Sequence, residues 1–142
     1  MHRVVFICAM MLLTSCHRPV SENAYKVTGS SRIYHMTKND KSGEYNIPMI
    51  DIYVSKDDYK IISGYSLALS YIDCKSSAIR YDENKDIGYN HPEYKKNYDG
   101  KIEFQIDDGK ESILDSDNSC LYIRTINYMG SGIKTSNIIK YR

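Results

Sequence analysis

Four thiols, four imidazoles and eighteen carboxylates are the groups in this 142-residue sequence that could serve as nucleophiles, general bases or metal ligands. Their spacing predicts little chemistry. Cys74 and Cys120 have no Cys-x-x-Cys partner and no histidine nearby, so no zinc ligand set forms around them. His17, His35 and His91 fall in no nucleophile or metal pattern. No Gly-x-Ser-x-Gly elbow, His-Glu-x-x-His helix or glycine-rich phosphate loop is present. The serine-rich stretch "SGYSLALS" reads as the outer face of a strand, and the paired acids Asp57-Asp58 and Asp107-Asp108 sit where Asp residues cap and turn the chain. Asp82, Asn84, Asp86 and Glu93 do reproduce the first, third, fifth and twelfth positions of a calcium loop. Against that reading, Ile87 stands where the sharp turn needs Gly, and Pro92 directly precedes Glu93. The residue types therefore predict no enzyme, no metal site and no cofactor.

Cys16 is different, because of what precedes it. Basic His2 and Arg3 lead into an apolar run, residues 4–13, too short to cross a hydrocarbon core of ~30 Å as a helix. This is the pattern of a signal peptide. Its end, Leu13-Thr14-Ser15-Cys16, resembles the lipobox of bacterial lipoproteins. That resemblance implies that residues 1–15 are removed and that Cys16 becomes the acylated first residue. Three acyl chains, at about 0.8 kcal/mol per buried methylene, would hold the protein firmly on a membrane. The residue after the anchor is His17 rather than the Asp that retains such proteins at the inner membrane, so the expected address is the outer membrane, lipid-anchored, on its periplasmic side.

Without residues 1–15 the chain keeps 127 residues, enough for one domain with a real core, and 18 basic side chains face 18 acidic ones. A formal charge of zero gives no reason to expect nucleic acid. Cys8 leaves with the signal and Cys16 carries lipid, so Cys74 and Cys120 remain, and an oxidising periplasm predicts a disulfide between them. Closing a loop of 46 residues this way is worth about 4 kcal/mol in the chain-entropy picture.

The elements that must position these groups are strands. Residues 16–30 read as the lipidated cysteine and a polar tether leading into the first strand, and residues 31–142 as one domain. Within it the hydrophobic period is two. In "KIEFQID", Ile102, Phe104 and Ile106 face one way and Lys101, Glu103, Gln105 and Asp107 the other. "MIDIYV" sets Ile50, Ile52 and Val54 on one face, and "YKIISGYSLALSYIDC" reads as one long strand with a bend at Gly64. Turn clusters such as "KNDKSGE", "SKDD", "DDGKE" and "MGSG" separate seven or eight strands, which predicts an antiparallel β-sandwich of immunoglobulin-like type, or a small barrel. A Cys74–Cys120 bond would resemble the inter-sheet staple of immunoglobulin-like domains, without the tryptophan that packs on it there.

Residues 82–100 break the pattern and read as a long loop, of the kind that often carries function. It holds Tyr89, His91, Tyr94 and Tyr98, and tyrosine is enriched at interfaces because it offers much area for few torsions. These four are the candidate partner-binding residues. The fourteen tyrosines of the whole chain carry less weight, since Tyr, Ile, Lys and Asn are all abundant and all have AT-rich codons.

Lipobox, short polar tether and a strand-rich domain with few cysteines together resemble the type VI secretion immunity lipoproteins of the periplasm. The resemblance implies a binding module whose protein partner is a secreted antibacterial effector. "SGIK", residues 131–134, also resembles the Ser-Gly-x-basic element of the membrane-bound lysozyme inhibitors. A structural accessory lipoprotein of an envelope assembly or secretion machine is the third expectation.

Overall fold

A computed structural model describes residues 20–76, 78–80, 82–90, 98–126 and 132–141. Cys16, the signal segment, His91 and Tyr94 lie outside the described residues. Ten strands are present among those described: β1 (Val20–Tyr25), β2 (Val27–Ser30), β3 (Tyr34–Asp40), β4 (Gly43–Val54), β5 (Ser66–Asp73), β6 (Asp86–Tyr89), β7 (Lys101–Ile106), β8 (Ser119–Ile126), β9 (Ile133–Ser136) and β10 (Ile139–Lys140). They form one sheet in the order β1-β9-β8-β5-β6-β7-β4-β2, with β10 added to β8 and β3 added to β4. The all-β class holds, in its barrel form: the sheet curls until β2 meets the β9–β10 link. A side-chain amide closes that seam. Asn137 Oδ1 accepts from the Val27 N–H at 2.8 Å and Asn137 Nδ2 donates to the Val27 carbonyl at 3.0 Å, doing for one residue what a neighbouring strand would do.

Every strand pair is antiparallel except β1 with β9, so the sheet is mixed rather than purely antiparallel. Val20 and Ser21 lie opposite Ile133 and Lys134, and Tyr25 lies opposite Ser136. The tether expected over residues 16–30 is correspondingly shorter. From Val20 onward the chain belongs to the barrel, with Tyr25 and Val27 in the core.

The core follows the period-two pattern where that pattern was clean. Ile102, Phe104 and Ile106 of β7 meet Ile50, Ile52 and Val54 of β4, and Leu67, Leu69, Leu121 and Ile123 complete the interior. Burial of these side chains, at roughly 1.5–3 kcal/mol each, is the main driving force for folding. Outward-facing residues are buried too: Met49, Ala68, Ser70, Tyr122 and Arg124 all lie below 9% exposure. Residues 56–62 are not strand. Ser55 caps a helix, α1 (Lys56–Ile62), by accepting the Asp58 N–H at 3.1 Å, and the Asp58 carboxylate in turn accepts the Ser55 hydroxyl at 2.6 Å and the Lys26 N–H at 3.0 Å. This reciprocal cap, with two acids in the first turn, outweighs the β-branched Ile61 and Ile62. Gly64 then lies in the turn after α1, not in a bent strand.

The disulfide is formed, with Cα atoms 5.0 Å apart. Its geometry corrects one expectation. Ile72 of β5 lies opposite Cys120 of β8, so Cys74, just past the end of β5, is joined to an adjacent strand of the same sheet and not across two sheets.

Strands β3 and β4 make a hairpin longer than the barrel needs. β4 pairs with β7 from Tyr53 to Met49 only, whereas its pairing with β3 continues out to Gly43. Pro48 marks where β7 departs. The Val54 N–H bonds to the Gly100 carbonyl on the β7 side, so the even-numbered residues of β4 aim their backbone groups there, and Pro48 has no N–H to offer. The hairpin thus projects beyond β7, and residues 39–46 are all exposed.

Candidate partner-binding surface

The "DIGY" stretch of the expected loop is an inner strand, β6, held between β5 and β7. Ala68 lies opposite Tyr89, Leu69 opposite Gly88 and Ser70 opposite Asp86, so one extra residue, Ile87, is absorbed in a bulge. The bulge sends Ile87 fully into the core. It leaves Asp86 and Tyr89 on the outer face with Ala68 and Ser70. At Gly88 the backbones of β6 and β7 come so close that a Cβ would collide with the Gln105 carbonyl.

Asp86 is the anchor of this outer face. Ser70 Oγ donates to Asp86 Oδ1 at 2.6 Å, Arg124 Nε donates to the same oxygen at 2.9 Å, and Arg124 Nη2 donates to Oδ2. The acid and guanidinium side chains are only 2% and 8% exposed. Arg124 is opposite Ala68 in the β5–β8 ladder, and that small side chain lets the guanidinium reach across β5 to β6. The fork geometry satisfies both carboxylate oxygens and ties three strands together. Burial raises the pKa of the neighbouring Tyr122 phenol, and the Tyr89 phenol is raised by partial burial and then by the charges of Asp86 and Asp107. Both hydroxyls therefore stay protonated donors through neutral pH. Tyr89 is a half-exposed ring, 36% accessible, standing on a fixed base.

Tyr98 is placed elsewhere. Its hydroxyl donates to the Val54 carbonyl at 3.0 Å, and its ring centroid lies 5.3 Å from that of Tyr59 on α1. Tyr89 is opposite Gln105 near the end of β7, while Tyr98 precedes the start of that strand at Lys101. At ~3.4 Å per residue, roughly 13 Å of β7 separates the two levels. The candidate residues Tyr89 and Tyr98 thus do not form one patch.

What Tyr89 does share is a neighbour with the projecting hairpin. Gln105 lies opposite both Tyr89 and Met49, and it also lines an open cleft of about 320 Å³ with Lys38, Tyr45, Asn46, Pro48 and Asp108. Tyr45 is 42% exposed. Tyr45, the cleft, Gln105 and Tyr89 make a continuous outward face at one end of the barrel. The sequence carried one signal for it, the turn over residues 40–43, where the Asp40 carboxylate accepts the Ser42 N–H at 2.7 Å and Gly43 adopts φ 125°. Nothing in the sequence reveals that this hairpin outruns its neighbour.

The remaining candidates have ordinary places. Asp82 caps a 3-10 turn by accepting the Asn84 N–H at 2.9 Å, and Asp86 is engaged by Arg124, so the calcium-loop spacing does not gather its ligands. Among the described residues no group of His, Cys, Asp and Glu could hold a metal ion, and no helix is long and apolar enough to cross a membrane. Of the "SGIK" stretch, Ser131 lies outside the described residues, Ile133 is buried at the start of β9, and Lys134 Nζ stands 5.7 Å from the Tyr65 ring centroid. Comparison with family models, curated proteins and solved structures finds no match for this chain.

Proposed function

We propose that this protein is a lipid-anchored periplasmic binding module that takes hold of a protein partner with its projecting hairpin and the adjoining Tyr89 face. The observation that carries the reading is structural: exposed Tyr45 lines a cleft whose Gln105 wall lies opposite the half-exposed Tyr89, and a buried Asp86–Arg124 pair fixes the strand under Tyr89. Rigid aromatic anchors beside adaptable polar groups suit protein recognition, because little side-chain entropy is lost on binding. The lipobox resemblance supports acylation at Cys16 and an outer-membrane address, and a disulfide suits an oxidising compartment.

The partner class comes from the resemblance to the type VI immunity lipoproteins. A tethered inhibitor meets an incoming antibacterial effector where it arrives. The test is capture of partners from the periplasm and secreted fraction of the native strain by the intact chain and by a Tyr45→Ala/Tyr89→Ala variant, followed by a growth-protection assay with whatever is recovered. A toxin-like hydrolase held by the native chain, lost with the variant, and neutralised in cells supports immunity. Recovery of a lysozyme or of a secretion-machine subunit moves the assignment to those alternatives, and equal capture by both chains removes the Tyr45–Tyr89 face.

A further inference from the structure

A second cleft, of about 510 Å³, opens at the end of β5, among Lys75, Ser76, Ala78, Arg80 and Asp82 and the Tyr122 ring. This volume falls within the size range of small-ligand sites. Lys75, Arg80 and Lys85 line it. Lys85 is held in place, its Nζ 4.7 Å from the Tyr71 ring centroid and 3.4 Å from the Tyr71 hydroxyl. Among the described residues, Lys75 and Arg80 have no ion-pair partner, and both are exposed. The two acids of the cleft face backbone: Asp73 accepts the Lys75 N–H at 2.8 Å and Asp82 accepts the Asn84 N–H at 2.9 Å. Neither acid is paired with Lys75 or Arg80, and three cations against two carboxylates leave the lining with an excess of one positive charge.

The position of this cleft narrows the choice of anion. The Glu22 carboxylate of β1 accepts the Ile79 N–H at 2.9 Å, which sets the first strand directly beside Arg80. Cys16 is six residues before Glu22, so even a fully extended chain separates them by no more than ~20 Å. An anchor at Cys16 therefore holds the cleft close to the bilayer surface.

We infer that this cleft binds the phosphate of an anionic phospholipid head group and so orients the barrel on its membrane. Arg80 supplies a planar fork for the phosphate oxygens, Lys75 and Lys85 supply point charges, and the Tyr71 and Tyr122 rings flank the glycerol. The choice of lipid as the source of the phosphate rests on the anchor reading above; the anion chemistry does not.

The test uses the full chain purified in dodecyl maltoside, titrated with dihexanoyl phosphatidylglycerol, dihexanoyl phosphatidylcholine and glycerol 1-phosphate. Intact mass of the same sample reports independently whether Cys16 is acylated. The expected result is saturable binding of the phosphatidylglycerol, none of the phosphatidylcholine, and an affinity about tenfold or more weaker in Lys75→Glu/Arg80→Glu, given about fivefold per basic residue near an anionic surface. The milder Lys75→Gln/Arg80→Gln serves if the reversal perturbs folding. Absence of phosphatidylglycerol binding, or binding unchanged in the neutral variant, overturns the inference. Glycerol 1-phosphate binding as tightly as the lipid also overturns it, in favour of a soluble phosphate ester.

Discussion

Two ion pairs stand on the outer face of this barrel, and they are built differently. Lys101 Nζ meets Asp51 Oδ2 at 2.9 Å and Glu103 at 3.5 Å, with the lysine side chain 28% exposed and Tyr34 donating to Asp51 at 2.8 Å. Arg124 grips Asp86 with two nitrogens, and both side chains are almost wholly buried. In the first pair only the lysine is partly wet, Asp51 being 11% exposed, so solvent can replace a lost partner in part. A dry arginine fork has no such substitute. The first pair decorates the β4–β7 ladder, while the second fixes the relative positions of β5, β6 and β8 under the Tyr89 surface.

Mutation should separate the two most sharply at the buried pair. Arg124→Met strands the Asp86 charge among β5, β6 and β8 and should cost about 3–5 kcal/mol in chemical denaturation. Adding Asp86→Leu removes the stranded charge and should recover most of that loss. If the single change costs no more than Lys101→Met does, the contrast between the two regions is wrong. Removing the disulfide as Cys74→Ser/Cys120→Ser should cost about 2–5 kcal/mol, with the β5–β8 amides losing hydrogen-exchange protection before those of β4–β7. Lys101→Met should cost less, about 1–3 kcal/mol, because the Tyr34 hydroxyl still donates to the buried Asp51.

The wetter region should also respond to base. Bonding to Asp51 raises the Lys101 pKa against a smaller desolvation effect, and burial, with the bond to Asp51, raises that of Tyr34. Both groups hold their protons more tightly folded than unfolded, so their contribution is complete below about pH 10 and is lost as pH rises beyond it. A denaturation series from pH 8 to 11.5 should show that fall, and Tyr34→Phe/Lys101→Met should flatten it. The smallest effect on stability, within about 0.5 kcal/mol, is expected for Tyr45→Ala/Tyr89→Ala. A larger drop would make Tyr89 part of the packing around Asp86 and not a free contact surface.

The same contrast explains what the sequence disclosed. Strand β7 was legible because one face is core and the other half-exposed, so Ile102, Phe104 and Ile106 alternate with Lys101, Glu103 and Gln105. The interior of β4 was legible for the same reason, although Met49 and Asp51 are buried as well. The disulfide followed from there being two cysteines left to pair. Strand β6 was hidden because its bulge breaks the period of two, and because Asp86 looks like a loop acid until its partner, 38 residues away, is known. Helix α1 was hidden by its isoleucines. Its signature was in fact written at Ser55 and Asp58, as a cap rather than as a period. Of the candidate surface, Tyr89 was named and Tyr45 was missed, since only the mismatch in length between β4 and β7 makes the hairpin project.

The parallel pairing of β1 with β9 has a consequence for how the chain acquires its shape. Val20 finds its neighbour only at Ile133, and the seam beside Val27 is sealed only by Asn137. A chain that emerges from a ribosome or a translocation pore amino end first must therefore keep β1 waiting until nearly all of it is through, while β2 can pair with β4 early but has its other edge closed only at the end. So distant a pairing makes folding slow and late, leaving the interval open to chaperones and to premature association of the unsatisfied strands.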